Sequence, residues 1–204
     1  NKYRIVFMGT PDFGVPALEA MTLHGYQPVA IYCQPDRING RGRKINYSPV
    51  KSFGLSHDIP VYQPDSLKNP EEQEKLKALS PDLLVVIAYG KILPKAVLDI
   101  PTYGAINVHA SLLPKYRGAA PIQRVIIDGE KETGVTIMQL DEGMDTGNII
   151  SAVKMAIPPH MNAGELFDRL GIMGARELIH VLDALPDKLK HSVPQNQEDA
   201  SYAD

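Results

Sequence analysis

Leu83-Leu84-Val85-Val86-Ile87-Ala88, followed by Tyr89-Gly90, is an uninterrupted apolar run closed by a turn signal. A short run rich in branched side chains reads as a strand covered on both faces, the pattern of a central strand in a parallel sheet. Arg4-Ile5-Val6-Phe7-Met8, ending at Gly9, is a second run of this kind. Between the two, helical and strand patterns alternate. Val15, Leu18 and Met21, with Pro16 near the start, predict a helix that ends near Gly25; residues 29–32 predict a strand. Residues 35–46 read as a polar loop containing Gly40 and Gly42. A helix reopens at Ser48-Pro49-Val50-Lys51, where proline suits the first helical position. Residues 59–62 give a short strand, and Asn69 caps a polar helix over 70–79.

Working outward on the other side, Tyr103-Gly104-Ala105-Ile106 leads a strand into Asn107-Val108-His109. Helix is expected over 121–127, strand over 134–140, and another strand, antiparallel, over 149–157. Asn162 with Glu165 resembles a capping box, and Leu166, Leu170, Met173, Leu178 and Leu182 follow at helical spacing. This alternation predicts an α/β fold: a Rossmann-like, doubly wound, mainly parallel sheet with helices on both faces. One domain is expected over 1–189. Residues 190–204, with Pro194-Gln195-Asn196-Gln197-Glu198-Asp199, lack a core pattern and read as a polar linker or tail.

With 204 residues, the chain suffices for one well-packed domain and little more. Its net charge of −3 gives no overall attraction to nucleic acid, so any such contact has to come from a local patch. The lone Cys33 excludes an intrachain disulfide and a cysteine metal cluster, which fits a reducing, cytoplasmic setting. No apolar run approaches the roughly 20 residues that span a bilayer, so no membrane partner is expected.

In a doubly wound sheet, ligands bind beyond the carboxyl ends of the strands. Gly9, Tyr89-Gly90, Asn107 to His109 and the loop Asp141-Glu142-Gly143-Met144-Asp145-Thr146-Gly147 all follow strand ends. Asn107 and His109, two apart on a strand, share a face. An amide donor beside a titratable donor suits an oxygen that becomes anionic in a tetrahedral transition state. Asp145 is placed to orient that imidazole, whereas Asp141 and Glu142 read as loop or solvent residues. Together the three side chains suggest acyl transfer to an amine. Gly9-Thr10-Pro11-Asp12-Phe13-Gly14 fails as a phosphate loop, because Gly14 is followed by Val15-Pro16 rather than Lys-Ser/Thr. The glycine fingerprint of nicotinamide dehydrogenases is missing as well. The histidines are not spaced as paired ligands, and no metal is expected; His24, His57, His160 and His180 are expected at the surface. Asp36-Arg37-Ile38-Asn39-Gly40-Arg41-Gly42-Arg43-Lys44 is locally basic. Such a run is either a solvated loop or a clamp on a phosphate backbone.

Asn107-x-His109 with Ser111-Leu112-Leu113-Pro114, Arg117-Gly118 and Asp145-Thr146-Gly147 resembles the folate-dependent formyltransferases. Met8-Gly9-Thr10-Pro11-Asp12-Phe13, Gln34-Pro35-Asp36-Arg37 and Gly118-Ala119-Ala120-Pro121-Ile122-Gln123 resemble the branch that formylates methionyl-tRNA. The resemblance implies a formyltransferase fold and transfer of a formyl group from 10-formyltetrahydrofolate to the α-amine of initiator methionyl-tRNA. It makes Asn107, His109 and Asp145 the catalytic trio, without a metal. It assigns Ser111, Leu112, Leu113, Pro114, Tyr89, Gly90, Ile92, Leu93, Leu140 and Met144 to the folate site, and Arg37, Arg41, Arg43 and Lys44 to tRNA. Family members usually carry a second, C-terminal domain, so the chain is expected to be the catalytic part of a longer protein. Sister enzymes acting on a sugar-nucleotide or glycinamide ribonucleotide amine, and a fragment that only binds, are the alternatives. If the basic run neutralises phosphates, replacing Arg41 and Arg43 by Ala weakens use of tRNA and flattens its salt dependence. Initial rates across a salt series check this, and an unchanged slope removes the run from tRNA binding.

Overall fold

The computed structural model describes residues 2–39 and 44–203. They fall into two compact units, Asn1–Ala105 and Ile106–Asp204. In the first unit the chain runs β1 (Ile5–Gly9), a 3₁₀ turn (Asp12–Gly14), α1 (Val15–Leu23), β2 (Ala30–Tyr32), β3 (Arg37–Asn39), β4 (Lys44–Asn46) and α2 (Pro49–Ser56). It continues through β5 (Val61–Tyr62), α3 (Pro70–Ala78), β6 (Leu83–Ile87) and α4 (Lys95–Leu98).

The two apolar runs that announced the fold lie side by side. β1 pairs in parallel with β6 over its whole length, from Ile5 opposite Leu83 to Gly9 opposite Ile87. Every residue of both strands is buried. β2 pairs with the other edge of β1, and β5 with β2, all in parallel. The order β5-β2-β1-β6 reverses direction at β1. Right-handed crossovers then place α1 and α2 on one face and α3 on the other, the doubly wound arrangement. Gly9 is needed where β1 meets β6, because a Cβ there would stand 2.5 Å from the Ile87 carbonyl oxygen. Helix starts follow local chemistry: the Ser48 hydroxyl accepts from the Lys51 N–H at 3.2 Å, and the Asn69 side chain accepts from the Glu71 N–H at 2.9 Å.

The second unit takes up β7 (Ala105–His109) at Ile106 and continues with α5 (Pro121–Ile127), β8 (Glu132–Gln139) and β9 (Ile149–Ala156). It ends with α6 (Ala163–Asp183), α7 (Leu185–Lys190) and a 3₁₀ turn (Gln197–Asp199). Its strands are antiparallel: β7 pairs with β8 and β8 with β9. α6 begins where Asn162 Oδ1 accepts from the Glu165 N–H at 2.8 Å, and its buried stripe includes Leu166, Leu170, Leu178 and Leu182. Helix α6 packs on β8 and β9.

The observed elements depart from expectation in five places. The polar stretch 35–46 carries a short antiparallel ladder, Arg37 opposite Asn46 and Asn39 opposite Lys44. Polar–apolar–polar triplets on strands this short are too brief to announce themselves as alternation. The short helices α4 and α7 were also unanticipated. Expected strand alternation to 157 stops at Ala156, and β8 begins earlier, at Glu132.

Gly134 on β8 lies against the Val153 carbonyl and the Leu112 side chain, with no room for a methyl group. Gly134→Ala is therefore expected to lower unfolding free energy by about 1–3 kcal/mol through overpacking. Urea denaturation followed by circular dichroism measures it, and wild-type stability would contradict the close packing.

Candidate functional site

β7 delivers its last residue, His109, to a strand end where the imidazole is only 7 % exposed. Asn107, half-buried, precedes it by two residues on the same strand, and alternation puts both side chains on one face. In register, Asn107 stands opposite Met138 and His109 opposite Thr136. His109 Nε2 lies 2.8 Å from the Tyr116 carbonyl oxygen. A carbonyl only accepts, so Nε2 carries the hydrogen and donates it. The other ring nitrogen, Nδ1, faces Asp145 Oδ2 across 3.7 Å. That separation allows electrostatic attraction but exceeds a good hydrogen bond.

The Asp145 carboxylate is held from a different direction. Its Oδ2 accepts from the Gly118 N–H at 2.7 Å. Asp145 itself adopts φ +55°, a left-handed conformation costing about 1–3 kcal/mol for a residue with a side chain. Asp141 supports the same loop as the sequence suggested: its Oδ1 accepts from the Gly143 N–H at 2.9 Å and the Thr146 hydroxyl at 2.8 Å. Gly147 lies against the Gln139 carbonyl, leaving no space for a Cβ.

Loop 111–118 is shaped so that one of its carbonyls meets the imidazole. The Thr136 hydroxyl donates to the Ser111 carbonyl at 2.6 Å and accepts from the Leu113 N–H at 3.0 Å, tying the loop's start to β8. The Ser111 hydroxyl donates to the Lys115 carbonyl at 2.6 Å. Tyr116 is also left-handed, φ +57°. Its phenol donates to Asp128 at 2.8 Å and Glu130 at 3.2 Å. Burial and these carboxylates push its pKa up, so the phenol stays a neutral donor.

The residue-type arguments named His109, Asp145 and Asn107 as candidates, and the structure brings His109 and Asp145 within 3.7 Å of each other. They missed the Tyr116 carbonyl and the Gly118 N–H, because backbone groups leave no signature in residue identity. They also missed Gln195, 8 % exposed, whose Nε2 donates to the Asp145 carbonyl at 2.8 Å and the Gly147 carbonyl at 2.7 Å. Of the second-unit residues assigned to folate, Ser111 and Leu113 are buried, Leu112, Pro114 and Leu140 are half-buried, and Met144 is exposed.

In the first unit, Tyr89 to Leu93 follow β6 at the point where strand order reverses. Tyr89 and Leu93 are buried, whereas Gly90 and Ile92 are exposed. The Tyr89 carbonyl accepts from Gln34 Nε2 at 2.7 Å and the Thr10 hydroxyl at 3.4 Å. Thr10 Oγ1 in turn accepts from the Gln34 N–H at 3.2 Å. The base of the β3–β4 ladder is clamped nearby: Lys51 Nζ donates to Asp36 at 2.6 Å and Gln63 at 2.9 Å, and Gln63 Nε2 donates to Asp36 at 2.7 Å. Arg37 is exposed on β3 and Lys44 opens β4; Arg41 and Arg43 lie outside the described residues.

Residues 3–182 match the model of a family described as formyl transferase. The chain belongs to the formyl transferase family. A methionyl-tRNA formyltransferase of Hydrogenovibrio crunogenus is 52 % identical over 201 residues, 98 % of this chain. One from Legionella pneumophila is 51 % identical over 203 residues. The chain spans 64 % and 65 % of the length of these relatives. Among solved structures, a phosphoribosylglycinamide formyltransferase from Bacillus halodurans superposes with a TM-score of 0.73 at 25 % identity, covering 89 % of this chain and 94 % of that one. An N-formyltransferase from Helicobacter canadensis, solved with folinic acid and dTDP-3-aminofucose, also gives 0.73, at 22 % identity and 98 % and 70 % coverage. The α/β, Rossmann-like fold expected for the family is therefore the fold observed. Among the described residues, no helix is long and apolar enough to cross a membrane.

The ladder clamp has a pH signature. Hydrogen bonds from Lys51 and Gln63 hold the Asp36 carboxyl below the usual range. A depressed folded-state pKa stabilises above the unfolded value, about 3.9 for Asp, and this is lost as pH falls through the lower folded value. Asp36→Asn is expected to be less stable than wild type at neutral pH, with the gap closing in acid. Denaturation midpoints from pH 7 downward test this, and a gap independent of pH would contradict it.

Proposed function

We propose that the chain carries the catalytic part of a methionyl-tRNA formyltransferase, moving the formyl group of 10-formyltetrahydrofolate to the α-amine of initiator methionyl-tRNA in the cytoplasm. The observation that carries the chemistry is the strand-end imidazole, with one nitrogen committed to a carbonyl and the other facing a carboxylate. Identity of about half to methionyl-tRNA formyltransferases over nearly the whole chain supports the choice of amine. We further assign the 190–204 segment as the lead toward a following domain.

In the reaction, the neutral amine attacks the formyl carbon, a carbon–nitrogen bond forms, and the carbonyl oxygen becomes anionic. The Asn107 amide and His109 donate to that oxygen. Since Nε2 is committed to Tyr116, Nδ1 is the ring atom that reaches it. Donation from both nitrogens at once calls for the imidazolium, and the Asp145 carboxylate 3.7 Å away supplies the opposing charge. The intermediate collapses with cleavage of the bond to the folate nitrogen. The amine's proton passes to that leaving nitrogen, through a water positioned by Asp145. The residues assigned to the folate are Ser111 to Pro114, Leu140 and Met144 in the second unit and Tyr89, Gly90, Ile92 and Leu93 in the first. Arg37, Arg41, Arg43 and Lys44 contact the tRNA backbone.

Removing one oxyanion donor typically costs roughly 10²–10³ in turnover. Asn107→Ala and His109→Ala are each expected to lose at least that much while folate affinity is largely kept. Quantifying N-formylmethionine formed from methionyl-tRNA, alongside folate titration, checks both. Near-normal turnover by either folded variant sinks the oxyanion assignment. Offering glycinamide ribonucleotide and an amino-sugar nucleotide with the same donor separates this reading from its sisters.

A further inference from the structure

One buried cation has no part in the proposed transfer. Arg117 is 1 % exposed, and burying a guanidinium is costly unless its hydrogens find acceptors. They do so on the polar segment 193–203. Nε and Nη2 donate to Gln195 Oε1 at 3.3 and 2.9 Å, and Nη1 donates to Gln197 Oε1 at 2.9 Å and to the Tyr202 hydroxyl at 3.4 Å. The backbone joins in. The Arg117 N–H donates to the Ser201 carbonyl at 2.9 Å, the Ala203 N–H to the Arg117 carbonyl at 2.7 Å, and the Tyr116 N–H to the Ser201 hydroxyl at 2.9 Å. Val193 exchanges two backbone hydrogen bonds with Ile149. A stretch with no core pattern is therefore bound along its length.

The guanidinium also decides which way the Gln195 amide points. With Oε1 turned toward Arg117, the amide nitrogen is turned away, and both its hydrogens are spent on the carbonyls of Asp145 and Gly147. Meanwhile the residue after Arg117, Gly118, donates its N–H to the Asp145 carboxylate. Asp145 is thus gripped at both ends from one place, its main chain through Gln195 and its side chain through Gly118. This grip opposes the strain of φ +55° at Asp145. We propose that Gln195 is a positioning residue for Asp145, and that the 193–203 segment is a strap, keyed by Arg117, that sets where the carboxylate stands opposite His109. Its kinetic consequence rests on the formyl-transfer reading; its structural consequence does not.

The test compares wild type with Gln195→Met, which fills similar volume without polar hydrogens, and Gln195→Glu, which keeps an acceptor for Arg117 but lacks both donors. Displacing a reacting constellation by about 1 Å costs on the order of 10²-fold. Both variants are expected to lose roughly 10–100-fold in kcat with KM for folate and methionyl-tRNA little changed. Because Gln195 acts through Asp145, adding Gln195→Met to Asp145→Asn should cause little further loss. An independent readout is the Gly118 amide proton, expected far downfield in wild type, where its acceptor is a carboxylate, and upfield in both variants. A merely structural role would lower the unfolding temperature and leave kcat and the Gly118 resonance unmoved, which overturns the proposal. So would losses that multiply in the double variant. If wild type transfers no formyl group, the functional reading fails, and the Gly118 resonance alone judges the strap. If Gln195→Met does not fold, Gln195→Glu decides.

Discussion

An imidazole offers two nitrogens, and the strand-end arrangement turns on which one is already taken. The Tyr116 carbonyl takes Nε2 of His109, which fixes the ring's orientation and leaves Nδ1 toward Asp145. For a carbonyl to stand there, the chain after β7 has to double back sharply. It does so with a left-handed Tyr116, and the surrounding bonds hold that conformation. Thr136 grips the start of the loop from β8, Asp128 and Glu130 hold the Tyr116 phenol, and Ser201 holds its amide. One short hydrogen bond at the imidazole is therefore underwritten by several more distant ones.

The first unit solves a different problem. Its parallel strands bury both faces, so their order is set by packing, and the polarity of the carboxyl ends follows from the strand reversal at β1. There the main chain itself is the polar surface. The Tyr89 carbonyl draws Gln34 and Thr10 together, tying the ends of β1, β2 and β6 into one network of hydrogen bonds. The Tyr89 side chain points into the core, with burial pushing its phenol pKa up. Any contact this residue makes with a ligand is thus a backbone matter, and its aromatic ring serves packing.

How far residue identity could go is visible in particular places. The runs 4–8 and 83–88 announced central strands because continuous burial leaves a continuous apolar signal. Helix α5 was read with its observed bounds, 121–127, and Asn162 announced the start of α6, because proline and capping side chains act locally. The pairing of His109 with Asp145 was legible since both carry their chemistry in the side chain. The antiparallel sense of β7 against β8 was not, because strand direction depends on connections rather than on composition. Gln195 escaped notice for the opposite reason: it sits in a polar stretch held largely by specific hydrogen bonds, and a glutamine there looks like any solvated amide. The short ladder of β3 and β4 was hidden by its brevity.

That ladder's base has an evolutionary corollary. Lys51, Asp36 and Gln63 close the strands off from the parallel sheet with a compact polar lock. Once the ends of an excursion are pinned together, lengthening what lies between them adds only a slowly growing entropic cost. Insertions, deletions or charge swaps beyond the lock can therefore accumulate without disturbing the packing of β1, β2 and β6. A lineage can reshape this excursion while inheriting its sheet unchanged.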